Sequence, residues 1–165
     1  MNKEQLLFNI NRYDHYYDSV NNKGQFYLGL NTFIIGSLGA AFATLQNQKI
    51  CNMCLYSLMT IILSMSFLSA FYTLRAILPY LKSGNRQTTS LIFFGSVSSF
   101  TQQEFLNKIK NVSEEEVYQD LALQAHQLAT GLSLKFNRLK HAGIFMAIEF
   151  LLLIPFLILF FINLK

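Results

Sequence analysis

Gly143–Leu164 reads GIFMAIEFLLLIPFLILFFINL, with Glu149 as its one ionisable side chain. About 20 consecutive apolar residues, each rising 1.5 Å in a helix, cross the roughly 30 Å hydrocarbon core of a bilayer. Two further stretches have the same character, Phe26–Leu45 (FYLGLNTFIIGSLGAAFATL) and Met53–Leu74, and only the polar piece Gln46–Asn52 separates them. The expected fold is an all-α membrane protein with three transmembrane helices, at 26–45, 53–74 and 143–164.

Hydrophobic residues make up 52% of the 165 positions and charged residues 13%. A soluble domain carries about 25% charge, so little of this chain is built to stay wet. Outside the spans there remain an arm at 1–25, a loop at 46–52 and a middle region at 75–142. The middle is shorter than the commonest domains of about 100–150 residues, which disfavours a separate catalytic domain. Met1–Gln25 carries Glu4, Asp14 and Asp18 and has no continuous apolar core, so the first span is expected to be an internal anchor rather than a secretory leader.

Bases crowd the arm (Lys3, Arg12, Lys23) and the middle (Arg75, Lys82, Arg86, Lys108, Lys110, Lys135, Arg138, Lys140), whereas the loop has Lys49 and the tail Lys165. The positive-inside bias then puts the amino terminus and the middle in the cytoplasm, and the loop and carboxyl terminus outside. Glu104, Glu114, Glu115, Glu116 and Asp120 offset the middle's bases, so the chain lacks the one-signed stripe of a nucleic-acid binder.

Leu6, Ile10, Tyr13, Tyr17, Val20, Gly24 and Tyr27 recur at steps of four and three, a stripe that predicts a helix running unbroken from the arm into the first span. It is expected to pack within the protein rather than on lipid. In the middle, Arg75–Gln87 reads as a polar connector with Pro79, Gly84 and Asn85. Thr88–Phe100 is too short to span and reads as a buried extended piece or a re-entrant or interfacial segment. Thr101-Gln-Gln-Glu104 and Ser113-Glu-Glu-Glu116 are capping boxes that start helices. After Val117, the positions Leu121, Ala125, Leu128, Leu132, Phe136 and Leu139 keep one face into the third span. Two of the three transmembrane helices are thus expected to continue into long cytoplasmic helices that form a stalk.

Within the spans, Asn31, Thr32, Ser66, Ser69 and Glu149 fall at matching depth and predict an intramembrane polar layer or gate. A carboxylate there costs about 2.5–3.5 kcal/mol unless paired or hydrated. A protonated Glu149 bonded to Asn31 as helix glue, a wet path or gate, and a third span that starts later are the readings. Gly36 with Ala40, Gly39 with Ala43 and Ser66 with Ala70 have small-xxx-small spacing, from which homo-oligomerisation is expected. His15, His126 and His141 have no metal or catalytic partners at suitable spacing, so neither an enzyme, a metal nor a cofactor is expected. Cys51 and Cys54 supply half a zinc site; a disulfide and two small apolar side chains both remain open.

Asn21–Leu28 leading into Asn31-Thr32, Ile92–Ser96, and His126-Gln127-Leu128 with Lys135, Leu139 and Ala142 together resemble the Pycsar transmembrane effector family. Family members usually carry an Ala-Asp-Lys-Ala type sequence before the first span. Here Asn22 stands where the acid would be, and Lys23 matches the base.

The resemblance implies a multi-pass protein of the bacterial inner membrane that acts in antiphage defence. Its activating ligand would be cyclic CMP or cyclic UMP made by a partner pyrimidine nucleotide cyclase, and its action on the lipid bilayer would arrest or kill the infected cell. For the nucleotide site the expected residues are Phe94 for stacking, Ser96 and Ser98 for the base edge or ribose, and His126, Lys135 and Arg138 for the phosphate. The competing readings are a constitutive membrane scaffold or accessory subunit, and a holin-like toxin.

Overall fold

The computed structural model describes residues 2–78 and 90–164, and among them all regular structure is helical: α1 (Lys3–Asn47), α2 (Met53–Ile77), α3 (Phe94–Val97), α4 (Gln102–Asn111) and α5 (Glu114–Asn163). Three of these, α1, α2 and α5, are long and apolar enough to cross a membrane. The protein is an all-α membrane protein, and α1 and α5 each extend well beyond the length a bilayer requires.

The chain divides into two compact units, Met1–Asp18 with Pro79–Ser133, and Ser19–Leu78 with Leu134–Lys165. The second unit is a three-helix bundle. Leu55, Met59, Ile62, Ser66, Ser69, Thr73 and Ala76 of α2 are buried at alternating steps of four and three. Lys135, Leu139, Ala142, Met146, Glu149 and Phe156 of α5 keep the same rhythm, as do Val20, Gly24, Asn31, Ile34, Leu38 and Leu45 of α1. A mean repeat of 3.5 residues is the seam of interlocking helices. Its apolar part gathers Ile34, Leu38, Leu45, Leu55, Met59, Ile62 and Phe156. At Gly24 a Cβ would lie 2.7 Å from Ile77 Cγ1, so glycine lets α1 approach α2 closely.

The turn between α1 and α2 is a Schellman motif. Ile50 N donates to Leu45 O and Lys49 N to Gln46 O, each at 3.1 Å, and Lys49 takes the left-handed conformation with φ 55°. Asn52 then caps α2, its Oδ1 accepting from Cys54 N at 3.1 Å and Leu55 N at 3.3 Å. Cys51 and Cys54 are exposed free thiols. Within α5, Pro155 lacks the amide that would close the turn to Leu151, yet the helix continues to Asn163.

In the first unit, Leu6, Leu121 and Ala125 form a core with Ile10, Tyr13, Val117, Tyr118 and Ala122 around it. Both capping boxes are present. Thr101 N donates to Glu104 Oε2 at 2.9 Å and Glu104 N to Thr101 Oγ1 at 3.3 Å; Ser113 N donates to Glu116 Oε2 at 2.8 Å and Glu116 N to Ser113 Oγ at 3.2 Å.

Thr88–Phe100 departs from the extended reading. Thr88 and Thr89 lie outside the described residues, and the chain from Ser90 forms a bend and then the single turn α3. Ser90 is the cause, because its Oγ accepts from Phe93 N at 2.9 Å and Ile92 N at 3.2 Å. A local hydroxyl bond thereby closes a turn where aromatic and branched residues suggested a strand. Of the expected connector Arg75–Gln87, Arg75–Ile77 complete α2, while 79–87 lie outside the described residues.

Candidate functional site

The centre of the three-helix bundle is polar. Asn31 of α1 donates through Nδ2 to Ser69 Oγ of α2 at 3.1 Å and to Tyr27 O at 2.8 Å. Ser66 donates to Glu149 Oε1, and Ser69 Oγ donates to Ala142 O at 3.0 Å. Asn31, Ser66, Ser69 and Glu149 are all buried, with exposures of 0–1%. Two acceptors remain unsatisfied there, Asn31 Oδ1 and Glu149 Oε2. The neighbouring donors explain this, since both Nδ2 hydrogens of Asn31 and the hydroxyl hydrogens of Ser66 and Ser69 are already committed. The bundle therefore holds a carboxyl at its core with half of its hydrogen-bonding capacity unmet.

Thr32, the fifth residue expected in this layer, is exposed and bonds back to Leu28 O at 2.9 Å. Glu149 meets Ser66 and Asn31 meets Ser69, rather than each other. The outer faces differ in kind. A Cβ added at Gly29, Gly36 or Gly39 would meet nothing within 4 Å, so among the described residues these small residues have no packing partner.

At the end of α2 nearest Ile77, α5 grips the orphan carbonyls that every helix leaves at its carboxyl terminus. Lys135 Nζ donates to Ala76 O at 2.6 Å, Ile77 O at 2.9 Å and Leu78 O at 3.2 Å, and Arg138 Nη1 donates to Arg75 O at 2.7 Å. A cation at this end also complements the helix dipole. Burial of the ammonium, and then the nearby Arg138, hold the Lys135 pKa below the usual lysine value. Tyr72 of α2 stacks on both His141 and Phe145 of α5, with ring centroids 5.5 Å apart in each pair.

The first unit contains a cleft of about 660 Å³ bounded by Ser90–Ile92, the carboxyl half of α4 and the first turns of α5. Asp120 Oδ2 anchors one wall by accepting from Leu91 N at 2.9 Å and Ser90 Oγ at 3.0 Å, and Gln124 Nε2 donates to Ser90 Oγ at 3.1 Å. Lys108 also lines the cleft, with Nζ 5.0 Å from the centre of the Phe100 ring. Sequence reasoning missed this cleft; its one legible signal was the pair of capping boxes that set α4 against the start of α5.

The residues expected at the nucleotide site fall in both units. Phe94, Ser96, Ser98 and His126 belong to the first unit, whereas Lys135 and Arg138 belong to the second and are engaged on α2. Phe94 is exposed and tilts against Phe93 at 5.0 Å, and His126 is exposed on α5. Ser96 is buried, while Ser98 bonds back to Gly95 O at 3.1 Å. None of the four lines the cleft.

The model of the Pycsar effector protein domain matches residues 5–162, both units included. The chain belongs to the Pycsar effector family. It is 29% identical over 77 residues to the Pycsar effector protein SaPycTM of Staphylococcus aureus, an alignment covering 47% of this chain and 49% of that protein. The chain thus spans about half the length of the curated relative it matches. No solved structure matches it.

Proposed function

We propose that this Pycsar effector senses a cyclic pyrimidine mononucleotide, cyclic CMP or cyclic UMP, and disrupts the integrity of the bacterial inner membrane, arresting or killing a phage-infected cell. The family match over residues 5–162 carries this reading. The ligand would come from a partner cyclase and be met on the cytoplasmic side, where the positive-inside bias puts the first unit and the amino terminus, with the carboxyl terminus outside.

The polar layer of Asn31, Ser66, Ser69 and Glu149 is the gate in this reading. Two unsatisfied acceptors make it the place where the closed bundle has least to lose and water has most to offer. The ligand must bind the open arrangement more tightly than the closed one, because only differential affinity shifts such an equilibrium. The outward small residues Gly36, Gly39, Ala40 and Ala43 support self-association of several copies around the opening.

Purified full-length protein in dye-loaded liposomes tests the reading. Release that depends on cyclic CMP or cyclic UMP is the expected result. Release without ligand would mark a holin-like toxin, and none under any condition a scaffold; either would overturn the proposal.

A further inference from the structure

The cleft of the first unit has a composition that selects among ligands. Among the described residues of its lining, Lys108 is the cation, Glu116 and Asp120 are the carboxylates, and Asn107 and Asn111 add carboxamides. Its volume of about 660 Å³ falls within the range of roughly 300–1,000 Å³ found for small-molecule sites. One oxygen of each carboxylate is already committed, Glu116 Oε2 to Ser113 and Asp120 Oδ2 to Ser90 and Leu91. These internal bonds fix both groups in place and leave each a second oxygen with which to accept. Packing against the Phe100 ring likewise positions the Lys108 ammonium.

Such a lining disfavours a dianion, since two carboxylates oppose one ammonium. Among phosphate ligands it favours one that carries a single negative charge and brings several hydrogen-bond donors for the carboxylates. A cyclic phosphodiester carries one charge, whereas a terminal phosphate carries about 1.5–2 at neutral pH. A ribose hydroxyl is a natural donor to a carboxylate, as in dinucleotide sites.

The two pyrimidines differ where it matters: cytosine presents an exocyclic amino donor, which Asp and Glu accept, while uracil presents a carbonyl at the same place and would set oxygen against oxygen. Carboxamides, with donor and acceptor side by side, fit the rest of either base edge.

Resting on the nucleotide-sensing function proposed above, we infer that this cleft seats the nucleotide, with Lys108 on the cyclic phosphate and Glu116 and Asp120 selecting cytosine over uracil. Cyclic CMP is the ligand it fits.

Calorimetric titration of the detergent-solubilised full chain with cyclic CMP, cyclic UMP and linear CMP tests this, with helicity and elution volume as controls for folding. The wild type is expected to prefer cyclic CMP at least tenfold over the other two. Lys108→Gln should weaken cyclic CMP at least tenfold. Glu116→Gln and Asp120→Asn, which keep an acceptor for the internal bonds, should narrow the ratio of cyclic CMP to cyclic UMP.

Should the wild type bind a cyclic nucleotide while all three folded variants bind it unchanged, the cleft is not the seat and the sensing function stands. Equal or reversed preference between the two cyclic nucleotides overturns the selection of cytosine. If the wild type binds neither, the sensing function itself fails.

Discussion

Lys135 Nζ lies 2.6 Å from the carbonyl oxygen of Ala76, and it also donates to two more carbonyls of the same helix end, those of Ile77 and Leu78. Hydrogen bonds to a charged group contribute about 1.5–3 kcal/mol. Lys135→Met should therefore lower the thermal midpoint of the detergent-solubilised protein by an amount equivalent to roughly 2 kcal/mol, with Lys135→Arg falling between it and the wild type. Circular dichroism melts measure this; an unchanged midpoint for Lys135→Met would mean that solvent replaces the clamp at no cost.

Glu149 leads to an opposite expectation. Glu149→Gln keeps an acceptor for Ser66 and supplies N–H donors where Oε2 now has no partner. This variant should melt higher than the wild type by an equivalent of about 1–2 kcal/mol and release less dye from liposomes at the same ligand concentration. Glu149→Ala removes the acceptor and should melt lower. A Gln variant less stable than the wild type would show that the carboxyl is better satisfied than its contacts indicate.

Acid should loosen the first unit at two places. Backbone and then hydroxyl hydrogen bonds from Thr101 hold the Glu104 pKa below the usual carboxylate range, and the same groups of Ser113 do so for Glu116. A lowered pKa in the folded state means that the unfolded chain takes up protons first, so the contribution is present above the ordinary glutamate value and is lost as pH falls through the lowered one. Hydrogen exchange at the first turns of α4 and α5 should accelerate across that window. In Glu104→Gln and Glu116→Gln the acceleration should be absent at the substituted helix.

Lys49 occupies the left-handed position of the Schellman turn at φ 55°. A lysine there gives up about 1–2 kcal/mol relative to a residue without a Cβ, part of which a glycine returns through its freer unfolded chain. Lys49→Gly should raise stability by roughly 0.5–1 kcal/mol, read from the same thermal melts, and Lys49→Pro should abolish the turn.

The three spans were legible because membrane helices need long apolar runs, and the capping boxes because their chemistry is local. The stripe on α5 was legible only in part. Leu132 and Leu139 are buried as the periodicity predicts, but Phe136 is 39% exposed and Lys135 only 4%. An apolar residue was the natural choice for the inner face, and the α2 carbonyls that draw Lys135 inward are invisible to a pattern of hydrophobicity. In the polar layer, which residues are polar was readable and their partners were not: rotation about each helix axis decides that Glu149 meets Ser66 and that Thr32 is exposed. The cleft was hidden for a similar reason, as Ser90 and Asp120 are 30 positions apart and are joined by one hydrogen bond.

The two ends of α2 have a common consequence. Asn52 Nδ2 donates to Asn163 Oδ1 at 3.2 Å at one end, and Lys135 takes the last carbonyls at the other. Ser66 and Ser69 are stitched to the same partner between them. Against α1, by contrast, α2 makes the Asn31–Ser69 bond and a 3.5 Å contact from Gln46 to the Tyr56 hydroxyl. The hairpin neighbour in sequence is thus not the helix that α2 bonds most: among the described residues its polar stitches run chiefly to α5, and α1 is held to it mainly by apolar packing.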